Sequence, residues 1–102
     1  MSKIIRSSRS KADVLKSAQY IAEKSGSVEL AERWMETVDE KLEFLVSHPM
    51  AGESRPDLGS GTRASAVGNY IIFYRRIDDG IEVSRILHGA RDTPRIFRTG
   101  EN

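Results

Sequence analysis

The stretch RILHGARDTPRIF at 85–97 sets Arg85, His88, Arg91 and Arg95 into an otherwise apolar, strand-like run. Upstream, Arg63 lies in TRASAV (62–67) and Arg75 in YIIFYRRI (70–77). Arg63, Arg75, Arg85 and His88 therefore fall on three successive strand-like segments, where neighbouring side chains could converge across a sheet. Such a cluster suits metal-independent cleavage of RNA. That reaction needs a group to take the 2′-hydroxyl proton, another to protonate the departing 5′-oxygen, and fixed cations around the pentacovalent phosphate. On this reading Arg63, Arg85 and His88 form the catalytic set, and His88 is its one member with an ordinary pKa near neutrality. Guanidinium forks serve equally well to grip the carboxylates of a partner protein. A solvated strand edge is the third reading, and composition leaves all three open.

Other chemistries have less to work with. The chain has no cysteine, which removes disulfides, thiolate nucleophiles and cysteine-bound zinc together. His48 and His88 are far apart in sequence and neither has a second ligand at helical or hairpin spacing, so no metal and no cofactor is expected. GSG at 59–61 lacks the lysine and helix of a phosphate loop. Glu29, Glu32, Glu36, Asp39, Glu40 and Glu43 recur as the solvated side of a helix. Net charge is +1, which argues against general or sequence-specific nucleic-acid binding by the chain alone. Every basic residue after Lys41 is arginine.

The elements that would hold these residues are legible from periodicity. KIIRSS (3–8) reads as a strand. Ser10 and Asp13 stand in a capping-box-like spacing ahead of the stripe Val14, Leu15, Ala18, Ile21 and Ala22. Gly26 sits where a left-handed cap ends that helix. Ser27 can start a second, with Ala31, Trp34, Met35, Val38, Leu42 and Leu45 as its apolar stripe to about Ser47. HPMAGESRPDLGSG (48–61) reads as a loop, long enough to suggest a role. TRASAV, YIIFYRRI and IEVSRILH (81–88) then form an antiparallel meander, joined by turns at Gly68–Asn69 and Asp78–Asp79–Gly80. Thr93–Pro94 predicts a short terminal turn carrying Ile96 and Phe97. The fold class is α+β, in the order βααβββ, with a two-helix hairpin on a small sheet. Tyr70, Ile72 and Tyr74 lie on one strand face and Ile71, Phe73 and Ile77 on the other, so one face packs on the helices and the other needs cover.

One domain over 1–97 is expected, with 98–102 as a disordered end. The longest apolar run, YIIFY, is far short of the about 18–20 residues that span a bilayer. No signal-peptide core precedes it, so a cytoplasmic protein without a membrane partner is expected.

Four features together carry a family resemblance: the helix–SG–helix opening, HPMAGESRPDLGSGTR (48–63), VGNYIIFYR (67–75) and RILHGARD (85–92). The second is close to a P-x-x-G-x-x-R-P-[DE]-L pattern. In this order, over 20–92, they resemble the ParE branch of the ParE/RelE toxin superfamily. The resemblance implies a toxin of a bacterial type II toxin–antitoxin module that inhibits DNA gyrase, blocks replication and is neutralised by a ParD-like antitoxin in a hetero-oligomeric complex. RelE-like relatives instead cut mRNA on the ribosome, and a detoxified binding partner or co-repressor is the third possibility. The family's ribonucleases carry lysines or a glutamate around the second strand and a tyrosine or similar acid–base group near the C-terminus. Here Arg63 stands alone in TRASAV, and the C-terminal aromatic is Phe97, which transfers no proton. The gyrase reading is therefore preferred, with no catalytic residues. On it Arg63, Tyr70, Arg75, Arg85, His88, Arg91, Arg95 and Phe97 are expected to meet partner proteins. Trp34 is either an anchor for the antitoxin or a plain core residue.

Overall fold

The computed structural model describes residues 2–89. The expectations placed on Arg91, Arg95, Phe97, the turn at 93–97 and the end at 98–102 lie outside these residues. The chain runs β1 (Lys3–Arg6), α1 (Ser8–Ser25), α2 (Val28–Ser47), β2 (Glu53–Ser54), a 3-10 turn at Pro56–Leu58, β3 (Thr62–Val67), β4 (Tyr70–Ile77) and β5 (Gly80–His88). The α+β order read from periodicity is the order observed. The loop at 48–61 holds two short elements, β2 and the 3-10 turn, that polar composition concealed.

The start of α1 differs from expectation. Ser7, in extended backbone, is the N-cap, and its Oγ accepts from the Ser10 amide at 3.0 Å. Ser10 lies buried inside the helix, where its hydroxyl donates to the Ser7 carbonyl. Ser7 wins because it can cap and pair at once: its Oγ donates to the Ser84 carbonyl and its N–H to the Val83 carbonyl. Asp13 is left free of any capping duty. At the other end Gly26 takes φ 70° and closes α1 with its N–H on the Ala22 carbonyl. Ser27 then caps α2 through the Leu30 amide.

The sheet order is β1-β5-β4-β3-β2. β1 pairs with β5 in parallel, whereas every other pairing is antiparallel, so the sheet is mixed. Parallel pairing demands a long crossover, here supplied by almost the whole chain between them. The helices cover one face. Val38, Leu42 and Leu45 of α2 are almost fully buried against Tyr70, Ile72 and Tyr74 of β4 and Ile81, Val83 and Ile86 of β5. Phe73 and Leu87 form a smaller cluster on the opposite face, packed by Leu58, Ala64 and Ile71.

At the β1–β5 junction Gly80 pairs with Lys3, and a Cβ built on Gly80 overlaps the Lys3 backbone. Only hydrogen fits there. We expect Gly80→Ala to destabilise the fold by about 1–3 kcal/mol through loss of the parallel strand pair, read from the midpoint of urea unfolding.

Candidate interaction surface

Arg85 does not face a partner. Its side chain and that of Asp13 are each 4% exposed. The guanidinium donates from Nε to Asp13 Oδ2 at 2.9 Å and from a terminal nitrogen to Oδ1 at 2.9 Å, a bidentate fork. The Ile86 amide donates to the same Oδ2 at 3.0 Å. A bulge places the arginine there: Phe73 pairs with Arg85 and Tyr74 with Val83, leaving Ser84 as an extra residue on β5. Ser84 fills the gap by donating its hydroxyl to the Phe73 carbonyl. Bulges re-aim the side chains beside them, and this one presents Arg85 to α1. The expected outward-facing fork is corrected to an interior bolt between helix and sheet.

Arg63 is likewise engaged with its own chain. It donates to the Gly52 carbonyl at 2.7 Å and more weakly to that of Met50 at 3.4 Å. Across the sheet from Arg63, Tyr74 is fully buried and its hydroxyl bridges the turn, donating to the Pro49 carbonyl at 2.8 Å and accepting from the Gly52 amide at 2.9 Å. Gly52 is a glycine because a Cβ would meet the Tyr74 hydroxyl at 2.5 Å. Farther along, Arg55 clamps Asp57 through two hydrogen bonds of 3.0 and 2.9 Å, and Leu58 packs on Phe73 and Leu87. The long loop is thus a fixed turn, with Met50 displayed at 61% exposure.

Arg75 lies on the sheet face away from the helices and pairs with Glu82 at 2.7 Å. The four basic side chains therefore do not converge. Arg63 pairs with Tyr74 and His88 with Tyr70, which separates them by roughly 13 Å along β4 and about 10 Å across two strand spacings. His88 is exposed and meets Tyr70 edge-on, with ring centroids 5.2 Å apart; Tyr70 in turn meets Trp34 at 4.8 Å. Trp34 packs against the core, and its Nε1 is buried with no hydrogen-bond partner among the described residues.

Beside this aromatic ladder a groove of about 410 Å³ opens between α1 and the end of β5. Asp13, Lys16 and Tyr20 line it from the helix, and Tyr70, Ile86, Leu87 and His88 from the sheet. Charge is divided between the two helices. On α1, Arg9, Lys11, Lys16 and Lys24 face Glu23 as the exposed acid, since Asp13 is buried. On α2, six acids from Glu29 to Glu43 outnumber Arg33 and Lys41. Sequence reasoning missed Lys16 and Tyr20 because a lysine and a tyrosine on a helix exterior carry no local signal. Asp13 had one: an acid beside the apolar stripe of an amphipathic helix.

Two predictions test this geometry. Asp13→Ala strands a buried guanidinium and should cost about 3–5 kcal/mol, while the joint replacement Asp13→Leu with Arg85→Met should recover much of the loss in urea unfolding. Hydrogen bonds from Arg55 hold the Asp57 carboxyl below its ordinary range. A depressed carboxyl contributes above its unfolded pKa and loses that contribution as pH falls through its folded one. The clamp should therefore survive mild acid and open only below the ordinary carboxylate range. Carbon-detected NMR of Asp57 checks this, with Arg55→Ala expected to return the titration upward.

Three comparisons bear on identity. The family model described as the ParE toxin of the type II toxin–antitoxin system parDE matches residues 4–93. Toxin ParE1 of Caulobacter vibrioides is 32% identical over 82 residues, covering 80% of this chain and 83% of that protein. A solved structure of the chromosomal ParDE toxin–antitoxin system from P. aeruginosa superposes with a TM-score of 0.71 at 21% identity, over 86% of this chain and 96% of that one, which supports the fold. With the family match running from β1 through β5, the chain belongs to the ParE toxins of type II toxin–antitoxin systems.

Proposed function

We propose that this ParE-family toxin acts without catalysis, inhibiting DNA gyrase and thereby blocking replication until a ParD-like antitoxin binds it. The observation that carries this reading is the dispersal of the ribonuclease-like set Arg63, Arg85 and His88. Arg85 is sealed against Asp13, Arg63 holds the carbonyls of a turn, and His88 stands at the far end of the sheet. Acid–base chemistry on one phosphodiester needs its groups within hydrogen-bond reach of the same few atoms. Groups separated by more than 10 Å, about the width of two strand spacings, do not meet that need. The family resemblance supplies gyrase as the target.

Among the described residues, no helix is long and apolar enough to cross a membrane. No group of three or more His, Cys, Asp or Glu among them is placed to hold a metal ion.

The test is a gyrase supercoiling assay run beside a transcript-cleavage assay in a translating extract. Purified toxin should block supercoiling and leave message intact, and addition of antitoxin should restore supercoiling. Site-specific message cleavage that disappears in His88→Ala, with gyrase unaffected, would overturn the proposal.

A further inference from the structure

The charges of α2 fall into two bands around its axis. The acids from Glu29 to Glu43 occupy one side of the helix. Its basic residues, Arg33 and Lys41, stand on an adjoining side with Leu30, Phe44 and His48, each within about 80° of the next around the axis. Asp39 is two positions before Lys41, about 200° from it, and ties the far flank of α2 to β1 through Arg6 at 3.1 Å. None of the five residues lines the groove between α1 and β5.

The end of this stripe is held in place. His48 caps α2, and its ring stacks on that of Phe44 with centroids 4.6 Å apart and planes inclined by 19°. Lys41 Nζ lies 5.3 Å from the Phe44 centroid, within reach of a cation–π attraction. The Ala51 amide then donates to the His48 carbonyl at 3.0 Å, so Met50 projects from a tight turn directly after the stripe. Tyr74 and Arg63 fix that turn from the sheet. Leu30 and Phe44 are nearly half exposed, and Met50 more so. Single exposed apolar side chains are ordinary, but an aromatic and a methionine fixed beside cations have the composition that protein interfaces favour.

We propose that the toxin holds its target through this stripe, seating Phe44 and Met50 in an apolar recess bordered by carboxylates on a protein surface. On the function proposed above that protein is gyrase, and the inference rests on that reading for the partner's identity. An inhibitor that performs no chemistry acts only through its differential affinity for one state of its target. Side chains already ordered by stacking and by a braced turn lose little freedom on binding, so more of their contact energy serves that difference. Charge selects the occupant. Arg33 and Lys41 attract carboxylates to the stripe, whereas Glu36 and Glu40 beside it repel the continuous phosphate backbone of a nucleic acid. Phe44 and Met50 anchor, and Lys41 orients.

The experiment measures the toxin concentration that halves gyrase supercoiling, beside calorimetric titration of the same full-length variants with the antitoxin. The double variant Phe44→Ala with Met50→Ala should raise that concentration about tenfold or more. Lys41→Glu should raise it about tenfold. Arg76→Glu, an exposed position on β4 with the same change in net charge, should stay within about twofold. Thermal unfolding of the free variants should match the parent, because the substituted side chains are not core residues. Loss of inhibition in both stripe variants supports the proposal whether or not antitoxin affinity falls with it. Inhibition within about twofold of the parent in both overturns the stripe and leaves the gyrase reading standing, and a fall in antitoxin affinity alone then assigns these residues to the antitoxin. Binding of the toxin to the substrate DNA without gyrase, abolished by Lys41→Glu, overturns it in favour of a nucleic-acid surface. Failure of the unmodified toxin to inhibit supercoiling overturns the parent reading and the stripe together.

Discussion

The fold turns on one carboxylate. Asp13 accepts from two nitrogens of Arg85 and from the Ile86 amide, and so fixes α1 against β5 at three points. A charge removed from water is costly unless its attraction and hydrogen bonds are nearly ideal, and net gain in stability from a buried pair is small or negative. Its effect is on placement. A shift of α1 by one residue along its axis, about 1.5 Å, would break the bidentate geometry and leave two buried charges unmatched. Apolar contacts alone tolerate such sliding far better, because dispersion attraction is non-directional and spread over many atoms.

That fixed register has consequences at both ends of β5. Near its start, Ser7 joins the end of β1 to the β5 backbone while capping α1, so strand pairing and helix initiation depend on one residue. Near its end, the helix and strand diverge and leave the groove between Lys16, Tyr20 and His88. The bulge at Ser84 serves both. Without the extra residue, β5 would keep strict alternation through this stretch, and Arg85 would keep the side set by that alternation.

The turn at 48–58 obeys the same logic on the opposite side of the molecule. Ordering a loop costs entropy of roughly 1–2 kcal/mol per residue, which its few apolar contacts cannot offset. Polar contacts from the sheet supply the constraint. Tyr74 brings a hydroxyl to the turn from a fully buried position, and Arg63 brings a guanidinium. Gly52 allows the approach by having no side chain. The P-x-x-G spacing within HPMAGES is thereby a packing requirement, set by a tyrosine on another strand.

The amino-acid order determined the elements. Periodicity located both helices and the last three strands, Gly26 and Ser27 punctuated the hairpin, and the alternation in YIIFYRRI assigned its two faces, because each of these depends on residues a few positions apart. The motifs also sufficed to place the chain beside ParE toxins. What lay beyond local reading was the partner of each polar side chain. Arg85 and Asp13 are 72 positions apart, and Tyr74 is 22 from Gly52. Only the folded chain decides whether a guanidinium meets solvent or an interior carboxylate, since that outcome depends on a bulge, a parallel strand pair and the register of a helix. Of the cations that sequence assigned to the sheet surface, Arg85 is buried against Asp13 and Arg63 holds the carbonyls of its own turn, whereas Arg75 and His88 stay exposed, because burial is a property of the assembled layers and not of the residue.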